Sequence, residues 1–169
     1  IVSIDASQRR RMSRPMPVPS GVRGGLALSN DGTTLLSGTN GNGAIAAISL
    51  GNQEAREVSL GPAAEGSAMP ENLLVTPDGR FWLVALSGAE DVVALPSGGG
   101  DPVAIRVGEE PSGFAVAPGG RVLVASREGE DLVEVDLEKG KATRRIRIGS
   151  GHTDVAVFPK ASLEALREQ

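Results

Sequence analysis

Apolar residues along this chain come in short runs, each closed by a glycine or proline turn, and the runs recur at a fixed spacing. NLLVTP, GFAVAP and DVAVFP end on Pro77, Pro118 and Pro159, spaced by 41 residues and 41 again. GLALSNDG has the same shape 47 residues before Pro77, with Asn30 in the place of the proline. The first three copies continue into a turn, Asp31-Gly32, Asp78-Gly79 or Gly119-Gly120, and then into TTLLSG, RFWLVALS or RVLVAS. A period of about 40–50 residues built from short apolar runs and tight turns predicts the blades of a β-propeller.

The unit 111–151 shows the pattern best. GFAVA (113–117) and RVLVAS (121–126) are continuous apolar runs, as expected of inner strands covered on both faces. DLVEVD (131–136) alternates apolar and polar, the period of a half-buried strand, and ATRRIRI (142–148) is a more polar fourth strand. Residues 70–110 repeat this as NLLVT, RFWLVALS, DVVALP and DPVAIRV, with Pro96 and Pro102 at strand edges where a missing N–H breaks no ladder. Residues 22–69 do so with an extra loop, roughly Pro62 to Ala68. The expected fold is all-β, with four-stranded antiparallel blades over 22–69, 70–110 and 111–151.

The ends are expected to be part-blades. Segment 1–21 matches only the outer half of a unit: IVSID aligns with LVEVD, SQRRR is a turn and RPMPV an outer strand. HTDVAVFP makes 152–159 a closing inner strand with no second strand after it, and 160–169 (KASLEALREQ) reads as a short helix or tail. The closing strand is expected to pair with 1–5 or with a strand upstream of this sequence. Three full blades with such fragments point to part of a larger ring of about seven blades, within the usual range for propellers. The rest of that ring is then the chain's first partner.

Composition narrows the classes. Lys and Arg number 17 against 21 Asp and Glu, a net charge of -4, and aromatics are 2%. Arg9, Arg10, Arg11 and Arg14, with Arg144, Arg145 and Arg147, are read as solvated turns and an outer strand. Nucleic-acid binding is not expected, since it favours a basic surface with rings to stack on bases. With no cysteine, disulfides and thiolate metal sites are excluded. No apolar run approaches the ~20 residues of a membrane-spanning helix.

The unit around PSGFAVAPGGRVLVAS, continuing to LVEVD and IRIG, resembles the bacterial YVTN-type propeller repeat. LVALS (83–87) and LVAS (123–126) stand where that family has its tyrosine-valine strand, without the tyrosine; IVSID (1–5) and LVEVD (132–136) match its V-x-V-I-D motif. The resemblance covers 1–159. It implies a propeller and a periplasmic or extracellular setting, and the family spans binding propellers, lactonase-type enzymes and redox-associated subunits.

Aligned by the period, four segments begin successive inner strands: Arg23-Gly24-Gly25, Pro70-Glu71-Asn72, Pro111-Ser112-Gly113 and His152-Thr153-Asp154. Side chains from different blades are expected to meet only there, at the channel mouth. The candidate ligand-binding residues are therefore Arg23, Glu71, Asn72, His152 and Asp154. His152, the sole histidine, suits a general base or a ligand, or is simply polar where other blades carry proline. Glu71, Asn72 and Asp154 offer oxygens to a hard cation, or cap strand starts. Gly41-Asn42-Gly43 and Gly98-Gly99-Gly100 lead into no helix and carry no lysine, so they are turns rather than phosphate cradles. Ser87 and Ser126 have no nucleophile elbow around them.

No catalytic set, resident metal or cofactor is expected. The reading is a non-catalytic binding or scaffolding propeller that takes a protein or a small polar ligand at its channel-mouth loops. A lactonase-type hydrolase, using His152 or Glu71 as base and Arg23 to hold an anion, is the first alternative. A redox-associated subunit is the second; haem is disfavoured, because only His152 would ligate and Met12, Met16 and Met69 fall in loops or outer strands.

Overall fold

The computed structural model describes residues 4–5, 7, 10–11, 16, 21, 23–40, 43–66 and 69–157. A two-stranded hairpin, β1 (Ile4–Asp5) with β2 (Arg10–Arg11), precedes three four-stranded antiparallel sheets. The first blade is β3 (Arg23–Leu28), β4 (Thr34–Gly38), β5 (Ala44–Ser49) and β6 (Ala55–Ser59). The second is β7 (Met69–Val75), β8 (Phe81–Ser87), β9 (Asp91–Pro96) and β10 (Val103–Arg106). The third is β11 (Pro111–Ala117), β12 (Arg121–Ser126), β13 (Asp131–Asp136) and β14 (Lys141–Arg147). In each, sequence order is spatial order, the up-and-down meander of a propeller blade. The chain is thus all-β and built of propeller blades.

Alternation along the strands builds the core between blades. Leu36, Ile45 and Ala47 of the first blade meet Leu73, Trp82, Val84, Leu86, Val93 and Leu95 of the second. The opposite face of the second blade, with Leu83, Ala85, Val92 and Ala94, meets Val122, Val124, Val133 and Val135 of the third. The second blade is thus apolar on both faces, which is why RFWLVALS and DVVALP read as unbroken runs. The loop over 62–68 holds a 3-10 turn, Pro62–Ala64, that puts the buried Ala64 over Gly43. Arg145 on the outer strand β14 donates to the Val107 carbonyl at 2.7 Å, tying the third blade's rim to the second.

One register detail is invisible in the 41-residue period. Thr76 and Phe81 close the β7–β8 hairpin around four residues, whereas Ala117 pairs with Arg121 around three. Beyond that shorter turn the equivalence slips by one. Val122 and Val124 therefore take the places of Trp82 and Val84, both facing the preceding blade.

Several expectations change. Residues 151–157 carry no strand, so the closing strand expected over 152–159 is not formed there, and Phe158 and Pro159 lie outside the described residues. A strand needs a hydrogen-bonded partner strand, and among the described residues none pairs with 151–157. The segment still lies beside β11: a Cβ on Gly113 would sit 2.6 Å from the Asp154 Cα. β1 pairs with β2 rather than with 152–157. The expected helix over 160–169 and all of RPMPV except Met16 also lie outside the described residues. Leu74, Val75, Val116 and Leu123 are half-buried rather than buried.

Candidate functional site at the inner-strand starts

The inner strands share an irregularity at their first residues. Pairing jumps between Pro70 and Asn72 in β7, between Pro111 and Gly113 in β11, and between Arg23 and Leu26 in β3. Glu71, Ser112 and the Gly24-Gly25 pair are left out of the ladders. A bulge bends the strand and re-aims the extra side chain, and such bulges recur where strands meet a site. The repeat therefore places an irregularity at the same end of each blade, and in the second and third it re-aims one side chain, Glu71 or Ser112.

These starts pack side by side. Gly24, at φ 73, lies so close to the second blade that a Cβ would sit 2.5 Å from the Glu71 carbonyl oxygen. Asn72 faces Gly25 across the same seam and donates through Nδ2 to the Ser112 carbonyl at 2.9 Å. The buried Ser112 hydroxyl donates to the His152 carbonyl at 3.0 Å. A chain of contacts therefore runs from 23–25 through 70–72 and 111–113 to 152–154.

Charge concentrates at one point on this rim. Arg127, in the loop after β12, binds Glu71 Oε1 at 2.5 Å and lies 3.7 Å from Glu110 Oε2. The Glu71 hydrogen bond raises the Arg127 guanidinium above its usual value. Glu110, at the unusual φ of 53, accepts the Gly88 amide at 2.9 Å. Glu71 Oε2 and the Ser126 hydroxyl are both buried without a hydrogen-bond partner. Orphaned buried oxygens of this kind call for a bound water or a ligand group.

The sequence-predicted residues divide. Glu71 is engaged by Arg127. Asn72 is spent on the Ser112 carbonyl. The His152 ring nitrogen Nε2 lies 3.3 Å from the Ile148 carbonyl. Asp154 is exposed, its Oδ1 taking the Val155 amide at 2.8 Å. Arg23 is exposed at the start of β3, paired through its backbone with Gly38, and its side chain makes no hydrogen bond or ion pair among the described residues. Among the described residues no hydrogen bond or ion pair joins any two of these five side chains. Arg127 and Glu110 carry no signal in the sequence, since Arg127 meets Glu71 only across 56 residues. Among the described residues, acidic and histidine side chains form no group that would hold a metal ion.

Blades of four antiparallel strands, stacked through their faces with bulged inner strands, define a β-propeller protein. No protein-family model matches the chain, and no curated protein matches it. Solved structures do. Hydrazine synthase of Kuenenia stuttgartiensis is 25% identical over 79% of this chain and 38% of its own, with a TM-score of 0.67. The periplasmic gluconolactonase of Pseudomonas aeruginosa is 26% identical over 80% of this chain and 42% of its own, at 0.63. Virginiamycin B lyase of Staphylococcus aureus is 16% identical over 87% and 48%, at 0.68. The chain thus spans less than half the length of each. Among the described residues no helix is long and apolar enough to cross a membrane.

Proposed function

We propose that this chain is a YVTN-type binding propeller that takes a small polar ligand or a protein segment at its inner-strand starts. The observation that carries the reading is the bulge repeated at the start of each of the three inner strands, which leaves Glu71 and Ser112 out of their ladders at one end of the blades. Arg23 and His152 suit an anionic group there and Asp154 a cationic one, while Glu71 is already neutralised by Arg127. The reading keeps nucleic acid out and puts the protein in the periplasm or outside the cell, on the resemblance alone. It also takes further blades as the remainder of the ring.

The test is a calorimetric titration of the chain with gluconate and glucono-δ-lactone, against an Arg23→Ala/His152→Ala variant with a native circular-dichroism spectrum. Saturable binding that weakens at least tenfold in the variant supports the site; unchanged affinity removes these residues from it. A lactonase-type hydrolase is the second reading, favoured by the 26% identity to a gluconolactonase. Lactone turnover by the parent that is lost in the variant would replace the binding reading.

A further inference from the structure

The stack of blades ends in two open apolar faces. Leu36, Ile45 and Ala47 face the second blade, so Leu26 and Leu28, whose register partners are Ser37 and Leu35, lie on the first blade's other face. Both leucines are about half exposed. Only the outer part of that face is covered, where Met16 packs on Ala46 and Ile48. At the other end Val133 faces the second blade, so Leu132 and its register partner Ile146 lie on the third blade's outward face. Ile146, and Ile148 just beyond the strand, are exposed. The two faces differ in kind. The first would meet a preceding blade, as Leu73 does in the second blade, and the other a following blade, as Leu83 does.

The segment after the third blade is placed to join them. Asn72 Oδ1 lies 3.0 Å from where a Cβ on Gly25 would be and takes the Leu73 amide at 2.9 Å. Asp154 Oδ1 lies 3.0 Å from the same point on Gly113 and takes the Val155 amide at 2.8 Å. Residues 152–155 therefore sit against β11 as the start of β7 sits against β3, although no ladder forms there. Beyond them Ala156 and Val157 are exposed.

We propose that a second copy of this chain covers these ends, with residues 152–157 and the third blade of one copy docked on Leu26 and Leu28 of the other. The two internal seams already join the same pair of unlike faces. A contact between unlike faces closes into a ring when the rotation per copy completes the turn. Two copies bring six full blades, within the ~4–8 of propeller rings. Size favours two, since the chain spans 42% of the gluconolactonase and 48% of the lyase. Charge favours the same joint. The row of inner-strand starts has the exposed Arg23 at one end and the exposed Asp154 at the other, and the joint sets Arg23 of one copy beside His152 and Asp154 of the next. The channel mouth is then incomplete in a single copy, whatever it binds. At dilutions below the dissociation constant the ends stand open and Leu26 is exposed. The joint needs no ligand, so its test is separate from titration of the mouth.

Sedimentation equilibrium of the ligand-free chain, from submicromolar to high micromolar concentration, should show a reversible change from the mass of one copy to that of two. Leu28→Glu should raise the dissociation constant at least tenfold, and so should Ile146→Glu at the opposite end. Both positions are exposed in the single copy, so each variant should keep a native circular-dichroism spectrum; should one unfold, Leu26→Lys or Ile148→Lys replaces it. An equimolar mixture of the two variants should regain a one-to-one pair, because it holds one sound face of each kind. A chain that stays single at every concentration overturns the proposal and leaves the faces to further blades of a longer chain. Pairing weakened by only one of the two substitutions overturns it too, since like faces would then be docking on each other. So does a mixture that stays single, and so does growth beyond two copies, which would mean a joint that does not close.

Discussion

Leu26 and Leu73 occupy the same place in successive blades, 47 residues apart, on the face that meets the preceding blade. Leu73 is 6% exposed, packed against the first blade; Leu26 is 53% exposed. Replacing each by alanine removes three carbons. At about 0.8 kcal/mol per buried methylene the transfer loss is ~2.4 kcal/mol for a fully buried leucine. A cavity term adds to that, so Leu73→Ala should cost about 3 kcal/mol, inside the ~2–5 kcal/mol seen for buried leucines. Leu26 has about half that area to lose and no enclosing wall to leave a cavity in, which gives about 1 kcal/mol. In a domain of this size the two losses correspond to drops in Tm of roughly 6–12 °C and 2–4 °C. Urea unfolding measures the difference, with the slope required to stay constant. Trp82, the sole tryptophan, lies in the same interblade cluster and gives the fluorescence signal. Equal losses at the two positions would show that Leu26 is covered, and a Leu73 loss near 1 kcal/mol would refute the interblade core as placed.

Gly24→Ala should destabilise by several kcal/mol, because a Cβ at φ 73 is strained and would also sit 2.5 Å from the Glu71 carbonyl oxygen; the same urea assay finding a loss under about 1 kcal/mol would place β3 and β7 further apart. Val124→Asp puts an unpaired carboxylate at a position with 0% exposure and should abolish cooperative unfolding, whereas a midpoint within about 0.5 kcal/mol of the parent would mark Val124 as a surface position. Asp78 is held at about 2, first by the Thr76 hydroxyl and then by Arg80. Its folded value lies below its ordinary 3.8, so its small contribution is present above pH 4 and fades as pH falls through 2. Urea midpoints at pH 4 and pH 2 should therefore fall less in Asp78→Asn than in the parent, and identical falls would deny Asp78 any part.

The blades were legible because their inner strands are apolar on both faces. RVLVAS, DLVEVD and DVVALP coincide with β12, β13 and β9, since each run begins and ends on a turn or a charged residue. Register was not legible. The shorter turn at Pro118-Gly119-Gly120 shifts β12 and β13 by one against the 41-residue period, and the extra Thr143 in the β13–β14 pairing restores it; yet Val122 and Val124 are flanked by apolar neighbours, so the sequence looks the same either way. The tail failed for a different reason. DVAVF has a strand's pattern, but pattern states only what a segment buries. A strand also needs a partner edge, and among the described residues none pairs with 151–157.

The candidate site was legible as a set of positions and not as a set of contacts. The period brings Glu71, Ser112 and Thr153 into one class, and the structure makes Glu71 and Ser112 bulge residues. No spacing rule joins Arg127 to Glu71, because the pair spans two blades and 56 residues. The bond exists because the loop after a second strand returns to the end at which the inner strand of the blade before it begins. Any residue in that loop therefore reaches back across the seam, and Arg127 is the one long enough and charged to reach Glu71. The same geometry separates the two ends of the stack by chemistry. At the mouth, Arg127 lies between Glu71 and Glu110, leaving Arg23 and Asp154 as exposed charges. At the turn end, Arg80 holds Asp78 and Glu138, and Lys139 holds Asp136.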